Sequence, residues 1–238
     1  MAKGHGLLET IAGVLVPVHR DGHKFIAMAA GTALFLWLFI WEPLGWIFVL
    51  LALAIAYFFR DPDRVTPLRD GLVVAAADGE ITQVEAVVPP SELGLGNEPR
   101  VRVSAFLSVL DVHIQRAPIA GRIIRSIYVP GAFVNAASDK ASEENERRAL
   151  VVQSSSGDEI AVVQIAGLIA RRILTFVHEG DSVGIGQRYG LIRFGSRVDI
   201  YLPPGKTALV SVGQRTVGGE TVVADLKSDE PEREARRS

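Results

Sequence analysis

The sequence predicts a mainly β protein, a β-sandwich or barrel domain with carrier-like barrel features, preceded by an N-terminal hydrophobic helical hairpin. Three observations predict it. Two apolar runs free of charge lie before residue 60. Beyond Gly71, short apolar or alternating stretches recur, punctuated by Gly, Pro, Asn and Asp, which is the pattern of an all-β sandwich or barrel. Within that region Val177–Ile192, VHEGDSVGIGQRYGLI, has glycine turns spaced as in lipoyl- and biotinyl-carrier-like barrels. No Lys stands at a hairpin tip there to carry a cofactor, so the geometry is kept and a carrier role is disfavoured.

Residues 1–24 read as a cytoplasmic N-terminal segment and residues 25–59 as a membrane-associated hairpin. Its two runs are Phe25–Trp41 and Leu44–Phe59, each a little short of the ~20 residues that cross a bilayer. Glu42-Pro43 separates them and predicts a tight turn. Arg20 and Lys24 precede the first run, and Arg60 and Arg64 follow the second. Basic flanks stay on the cytoplasmic side, which places both ends inside and the turn outside. Trp37, Trp41 and Trp46 cluster where an interfacial aromatic belt would lie. The runs start too late, and lack the small-residue cleavage site, for a secretory signal. A hairpin that dips into one leaflet, or packs on the domain, is the alternative to two crossings.

Residues 60–226 form the predicted β-rich domain, and 227–238, charged and without a run of apolar residues, a disordered tail. The strand-like stretches are LVVAA, ITQVEAVV, RVRVSAFL, GRIIRSIYV, ALVVQSS, EIAVVQIAG, RRILTFV, YGLIRFGS, RVDIYLP, TALVSVG and TVVADL. Pro89–Pro99 reads as an exposed loop, and the polar Asn135–Arg148 as loop or short helix.

Composition narrows the chemistry. The chain of 238 residues has a net charge of −2, so bulk electrostatics imply no nucleic-acid partner. It has no cysteine, which excludes disulfides, Fe–S clusters and a Cys nucleophile. Neither a Walker A motif nor a strand-linked GxGxxG nor an HExxH occurs, so nucleotide and zinc sites have no support. His5, His19 and His23 precede the apolar runs, leaving His113 and His178 in the β region. Ser196 stands in RFGSRVDIYLP between two strand-like runs, after Gly195, whose freedom suits a strained peptide bond. A serine hydroxyl needs a base to become a nucleophile. His113 is the candidate base and Asp78, in AAADGEI, the candidate to orient its imidazole.

These residues sit in blocks that together resemble the phosphatidylserine decarboxylases in their short prokaryotic form. The blocks are FFRDPDRVTP (58–67), AADGEI (76–81), FLSVLDVHIQRAPIAGRI (106–123), PGAFVNAASDKASEENER (130–147), QIAGLIARRI (164–173) and GDSVGIGQRYGLIRFGSRVDIYLP (180–203). The resemblance spans roughly residues 45–205, and its specificity lies in the combination. It implies a proenzyme that cuts itself between Gly195 and Ser196 into chains 1–195 and 196–238, with Asp78, His113 and Ser196 as the self-cleaving triad. Ser196 then becomes a covalent pyruvoyl group that forms a Schiff base with the substrate amine and acts as electron sink, as pyridoxal phosphate does elsewhere. The implied reaction turns phosphatidylserine in the inner cell membrane into phosphatidylethanolamine and CO2, with the catalytic domain on the cytoplasmic side. The resemblance is compatible with a homodimer and implies no metal. Arg60, Arg64, Arg171 and Arg172 are candidates to attract an anionic headgroup. Longer relatives carry Gly-Ser-Thr at the cut where Arg197 follows Ser196 here. His178 is a weaker rival base. The alternative is a membrane-anchored serine hydrolase that uses Ser196, His113 and Asp78 on an external substrate.

Overall fold

The first helix, α1 (Arg20–Phe39), begins before the apolar run because His19 caps it, its Nδ1 accepting from Asp21 N–H at 3.4 Å. The turn falls on Ile40 and Trp41, whose N–H groups both reach Leu36 O at 3.1 and 2.8 Å. Glu42 and Pro43 therefore open the second helix, α2 (Glu42–Phe58), rather than separating the two. Proline is at home there, since a first-turn N–H has no partner within a helix anyway. A Cβ on Gly45 would stand 3.1 Å from Ala33 O and from Trp37 Cβ, so glycine permits the close crossing beside the turn. Trp37 and Trp46 meet edge to face at 4.8 Å there. At the other end His19 N donates to Phe59 O at 2.8 Å and Asp61 N to Pro17 O at 2.7 Å, tying entry to exit. Leu34, Leu38, Phe39, Leu50 and Leu53 are exposed. The first helix is long and apolar enough to cross a membrane, and the 17-residue second one is shorter.

This computed structural model describes residues 16–131, 145–167, 172–193, 196–231, 233 and 235–236. It divides into two units, 1–63 and 64–238. The second is the predicted mainly β domain. Its principal sheet has eight antiparallel strands in the order β12-β2-β3-β11-β7-β6-β5-β9. They are β2 (Gly79–Val87), β3 (Arg100–Leu107), β5 (Gly121–Val129), β6 (Arg147–Gln153), β7 (Glu159–Ala166), β9 (Ser182–Val183), β11 (Ser196–Tyr201) and β12 (Arg215–Thr216). The sheet curls over a second sheet ordered β4-β10-β8, made of β4 (Ile114–Arg116), β8 (Ile173–Thr175) and β10 (Arg188–Ile192). A third pair joins β1 (Leu72–Val74) to β13 (Val222–Asp225).

Both faces of the large sheet are covered. Val198 and Ile200 belong to the main core with Leu107, Ile123, Val152 and Val162, whereas Tyr201 joins Val163 and Ile165 in a smaller cluster on the other face. That cluster qualifies the exposed-loop reading of Pro89–Pro99, a loop whose Ser91, Gly94 and residues 96–99 are exposed. A 3-10 turn at Ser91–Leu93 presses Leu93 and Leu95 into the cluster, and both are buried. Arg125 holds the turn by donating to Leu93 O at 3.0 Å.

Other differences have similarly local causes. TALVSVG forms no strand, although Ala208, Leu209 and Val210 are buried and Leu209 N donates to Val223 O at 2.8 Å. The short strands β4, β9 and β12 arise from tertiary pairing and carry too few residues for a periodic signal. Most of the polar stretch 135–148 lies outside the described residues, and Arg147 and Arg148 begin β6. In the tail, Thr207 Oγ1 donates to Glu230 O at 2.8 Å and Ser211 Oγ to Arg233 O at 3.2 Å.

Candidate active site

Ser196 and Asp78 stand at the same end of the large sheet. Ser196 is the first residue of β11 and pairs with Leu107, the last of β3, and with Ala166, the last of β7. Next door, β2 starts at Gly79, directly after Asp78. Gly79 lies so close to β3 that an added Cβ would stand 2.3 Å from Phe106 O. Strands are spaced about 4.8 Å apart, so the starts of β2 and β11, two strands apart, are about 10 Å from each other.

Ser196 is fully buried, and among the described residues its Oγ has no hydrogen-bond partner. A buried polar atom without a partner is costly and usually has a functional reason. Gly195, the other half of the expected cut, and Phe194 lie outside the described residues.

His113 is also fully buried and sits between β3 and β4. Its carbonyl accepts from Ile192 N at 3.3 Å, which ties it to the end of β10 just before Ser196 in sequence. Its Nδ1 stands 2.9 Å from Asp111 O. A carbonyl only accepts, so Nδ1 is the protonated nitrogen and Nε2 carries the lone pair. The Asp111 carbonyl thus orients the imidazole through Nδ1. Asp111 is itself fixed: Oδ2 accepts from Ser108 N at 2.8 Å, and Arg215 pairs with Oδ1. A buried amide chain completes this side. Gln115 Nε2 donates to His113 O at 2.8 Å, and Gln164 Nε2 donates to Gln115 Oε1 at 2.9 Å. The DVHIQ segment contains two of these partners, but only the fold shows that they act on His113.

Asp78 accepts from Arg64 Nη2 at 2.7 Å and from Gly218 N at 2.8 Å. Burial pushes its carboxyl above the ordinary range, with the Gly218 N–H and the Arg64 guanidinium pulling back and Asp111 adding a smaller upward push. Arg64 is therefore engaged inside the protein, with its side chain only 13% exposed. Arg60 lies over the Tyr57 ring at 3.9 Å, Arg172 is exposed, and Arg171 lies outside the described residues. His178 is 82% exposed on a turn next to Asp181. That turn is bound to β5, three strands from β11, about 14 Å across the sheet.

On the opposite face of β11 lies a feature that sequence reading missed. Arg197 Nε donates to Asp199 Oδ1 at 2.7 Å and Nη2 to Oδ2 at 2.8 Å, with both side chains 1% exposed. The alternation of a strand puts these two on one face and Ser196 and Val198 on the other.

The profile of the phosphatidylserine decarboxylase family matches residues 51–224. A phosphatidylserine decarboxylase proenzyme of Cereibacter sphaeroides is 55% identical over 231 residues, 97% of each chain. The proenzyme of Xanthobacter autotrophicus is 57% identical over 97% of this chain and 98% of its own. That of Nitrobacter winogradskyi is 54% identical over 92% of this chain and 88% of its own. With a match over most of its length, the chain belongs to the phosphatidylserine decarboxylase family, whose members are self-processing decarboxylases.

Proposed function

We propose that this protein cuts itself between Gly195 and Ser196 and then decarboxylates phosphatidylserine to phosphatidylethanolamine and CO2. The observation that carries the reading is the Ser196 hydroxyl, fully buried without a hydrogen-bond partner among the described residues, at the start of a strand held on both sides. In the first step His113 Nε2 takes the hydroxyl proton and Ser196 Oγ attacks the Gly195 carbonyl carbon. The C–N bond breaks, the proton goes to the departing amine, and an ester replaces the peptide bond. Loss of the α-proton of residue 196 then breaks the Cβ–O bond, leaving a Gly195 carboxylate and dehydroalanine. Tautomerisation to the imine and hydrolysis by water release ammonia and leave a pyruvoyl group at 196.

A pyruvoyl group at residue 196 would supply a carbonyl able to take up the substrate amine and an electron sink for the electrons that CO2 leaves behind. Around it, Leu107 and Ala166 wall the residue on the two neighbouring strands. His113 remains the proton carrier, with its tautomer fixed by Asp111 O. Asp78 belongs to the processing machinery through the turn that it anchors to Arg64 and Gly218. We place the enzyme at the inner membrane through α1 and α2, with the β domain on the cytoplasmic side, as the basic flanks indicate.

The test of the reaction uses purified, fully processed protein and vesicles containing phosphatidylserine. Phosphatidylethanolamine should accumulate with wild type and not with Ser196→Ala. Fully processed protein that makes none would refute the lipid assignment.

A further inference from the structure

We propose that the buried Arg197–Asp199 pair is a register pin that positions residue 196, keeping it turned to the inner face of the sheet before and after cleavage. The proposal rests on the self-cleavage reading above. Ser196 does its work only if β11 keeps its register, because a slip of one residue turns every side chain to the other face. The sheet elsewhere tolerates irregularities. The register shifts between Ile81 and Gln83 on β2 and between Ile123 and Arg125 on β5. By contrast, β11 pairs without any shift over all its residues, Ser196–Tyr201, with both β3 and β7.

Apolar patterning alone sets that register weakly, since both faces of β11 are buried against hydrophobic clusters. The ion pair breaks this symmetry. In the observed register Arg197 lies beside Phe106 and Ile165, and Asp199 beside Ser104 and Val163, with their charges joined by two hydrogen bonds. A slip of one residue would drive both charges into the main core, among residues such as Leu107, Val162 and Ile192. Stability by itself does not account for such a pair, because apolar replacements of similar volume are often neutral or stabilising. Fixing a register is the best-attested use of buried ionic groups. After cleavage the demand grows. Residue 196 becomes a chain end, and chain ends fray unless tied down. Arg197, one residue away, supplies the tie.

The experiment follows the full-length chain through cell-free synthesis and a timed chase, reading cleavage by intact mass and folding by thermal unfolding. Arg197→Met with Asp199→Leu keeps volume and removes the charges. It should fold, with cleavage slowed about 10- to 100-fold, as expected when a reacting group is displaced by an ångström or less. Exchanging the two, Arg197→Asp with Asp199→Arg, restores a buried pair and should restore cleavage. A folded apolar variant cleaved at the wild-type rate would overturn the proposal. Should that variant fail to fold, the exchanged pair decides: cleavage at the wild-type rate supports the pin, and a folded but uncut protein overturns it. Wild type that stays uncut would instead sink the self-cleavage reading, whatever the variants do.

Discussion

At the residue scale the account turns on what His113 and Asp78 touch. A neutral imidazole has one donor and one acceptor, and Asp111 O at 2.9 Å claims the donor. His113→Ala should therefore leave the fold in place and slow self-cleavage by about 10²–10⁴-fold, the usual worth of a positioned general base. A gel of freshly purified variant checks this, and complete cleavage would remove His113 from the first step. Asp78 makes a pH prediction. Burial raises its carboxyl above the ordinary 3.8, against the pull of Gly218 and Arg64. The folded state then binds this proton more tightly than the unfolded chain. The resulting stability is full below 3.8 and is lost as pH rises through the raised value. Across that window wild type should lose stability relative to Asp78→Asn, measured as the difference in thermal midpoint against pH. A difference independent of pH would contradict the assignment. His113, Asp78 and Ser196 could be singled out as candidates from the sequence because each sits in a distinctive block. Asp111 O, Gln164 and the Arg64 contact could not, because they are met across 14 to 49 residues of chain or through the backbone, which side-chain patterns do not reveal.

At the element scale, β11 has a working face toward the main core and a supporting face under the Ser91–Leu93 turn. Leu93 is 1% exposed in the outer cluster. Its replacement by Ala should cost about 2–5 kcal/mol, as burial-to-cavity changes do, and lower the thermal midpoint accordingly. Ser196 should still be cleaved at working temperature, because the cavity opens on the face of β11 away from Ser196. A melt of the variant beside wild type checks the first expectation and intact mass the second. Strands with clear apolar runs, such as EIAVVQIAG and RVDIYLP, were readable in advance. The Pro89–Pro99 segment was not, since Gly, Pro and Asn mark a loop but carry no mark of what its two leucines cover. TALVSVG reads as a strand and buries Ala208, Leu209 and Val210, yet it forms no ladder. Periodicity reports burial, and the pairing partner is a tertiary fact.

At the scale of the whole molecule, the chain separates into an apolar helix pair and a β domain, with the division at residues 63 and 64. The helix pair was legible from hydropathy, whereas its turn moved from Glu42-Pro43 to Ile40-Trp41 because proline suits a helix start. A chain lacking residues 1–63 should stay in the supernatant after high-speed centrifugation of lysed cells and should still cut itself, since Ser196, His113 and Asp78 lie in the second unit, as do Asp111, Arg64 and Gly218. Persistent sedimentation with membranes would show that the β domain holds the bilayer by itself.

The central claim is that Ser196 is consumed by the protein's own chemistry. Intact-mass measurement of purified wild type beside Ser196→Ala tests it most directly. The account predicts wild type as two chains, residues 1–195 and 196–238, the second beginning with a pyruvoyl group, and the variant as one uncut chain. A wild-type protein that remains a single 25.7 kDa chain with serine at 196 would contradict it.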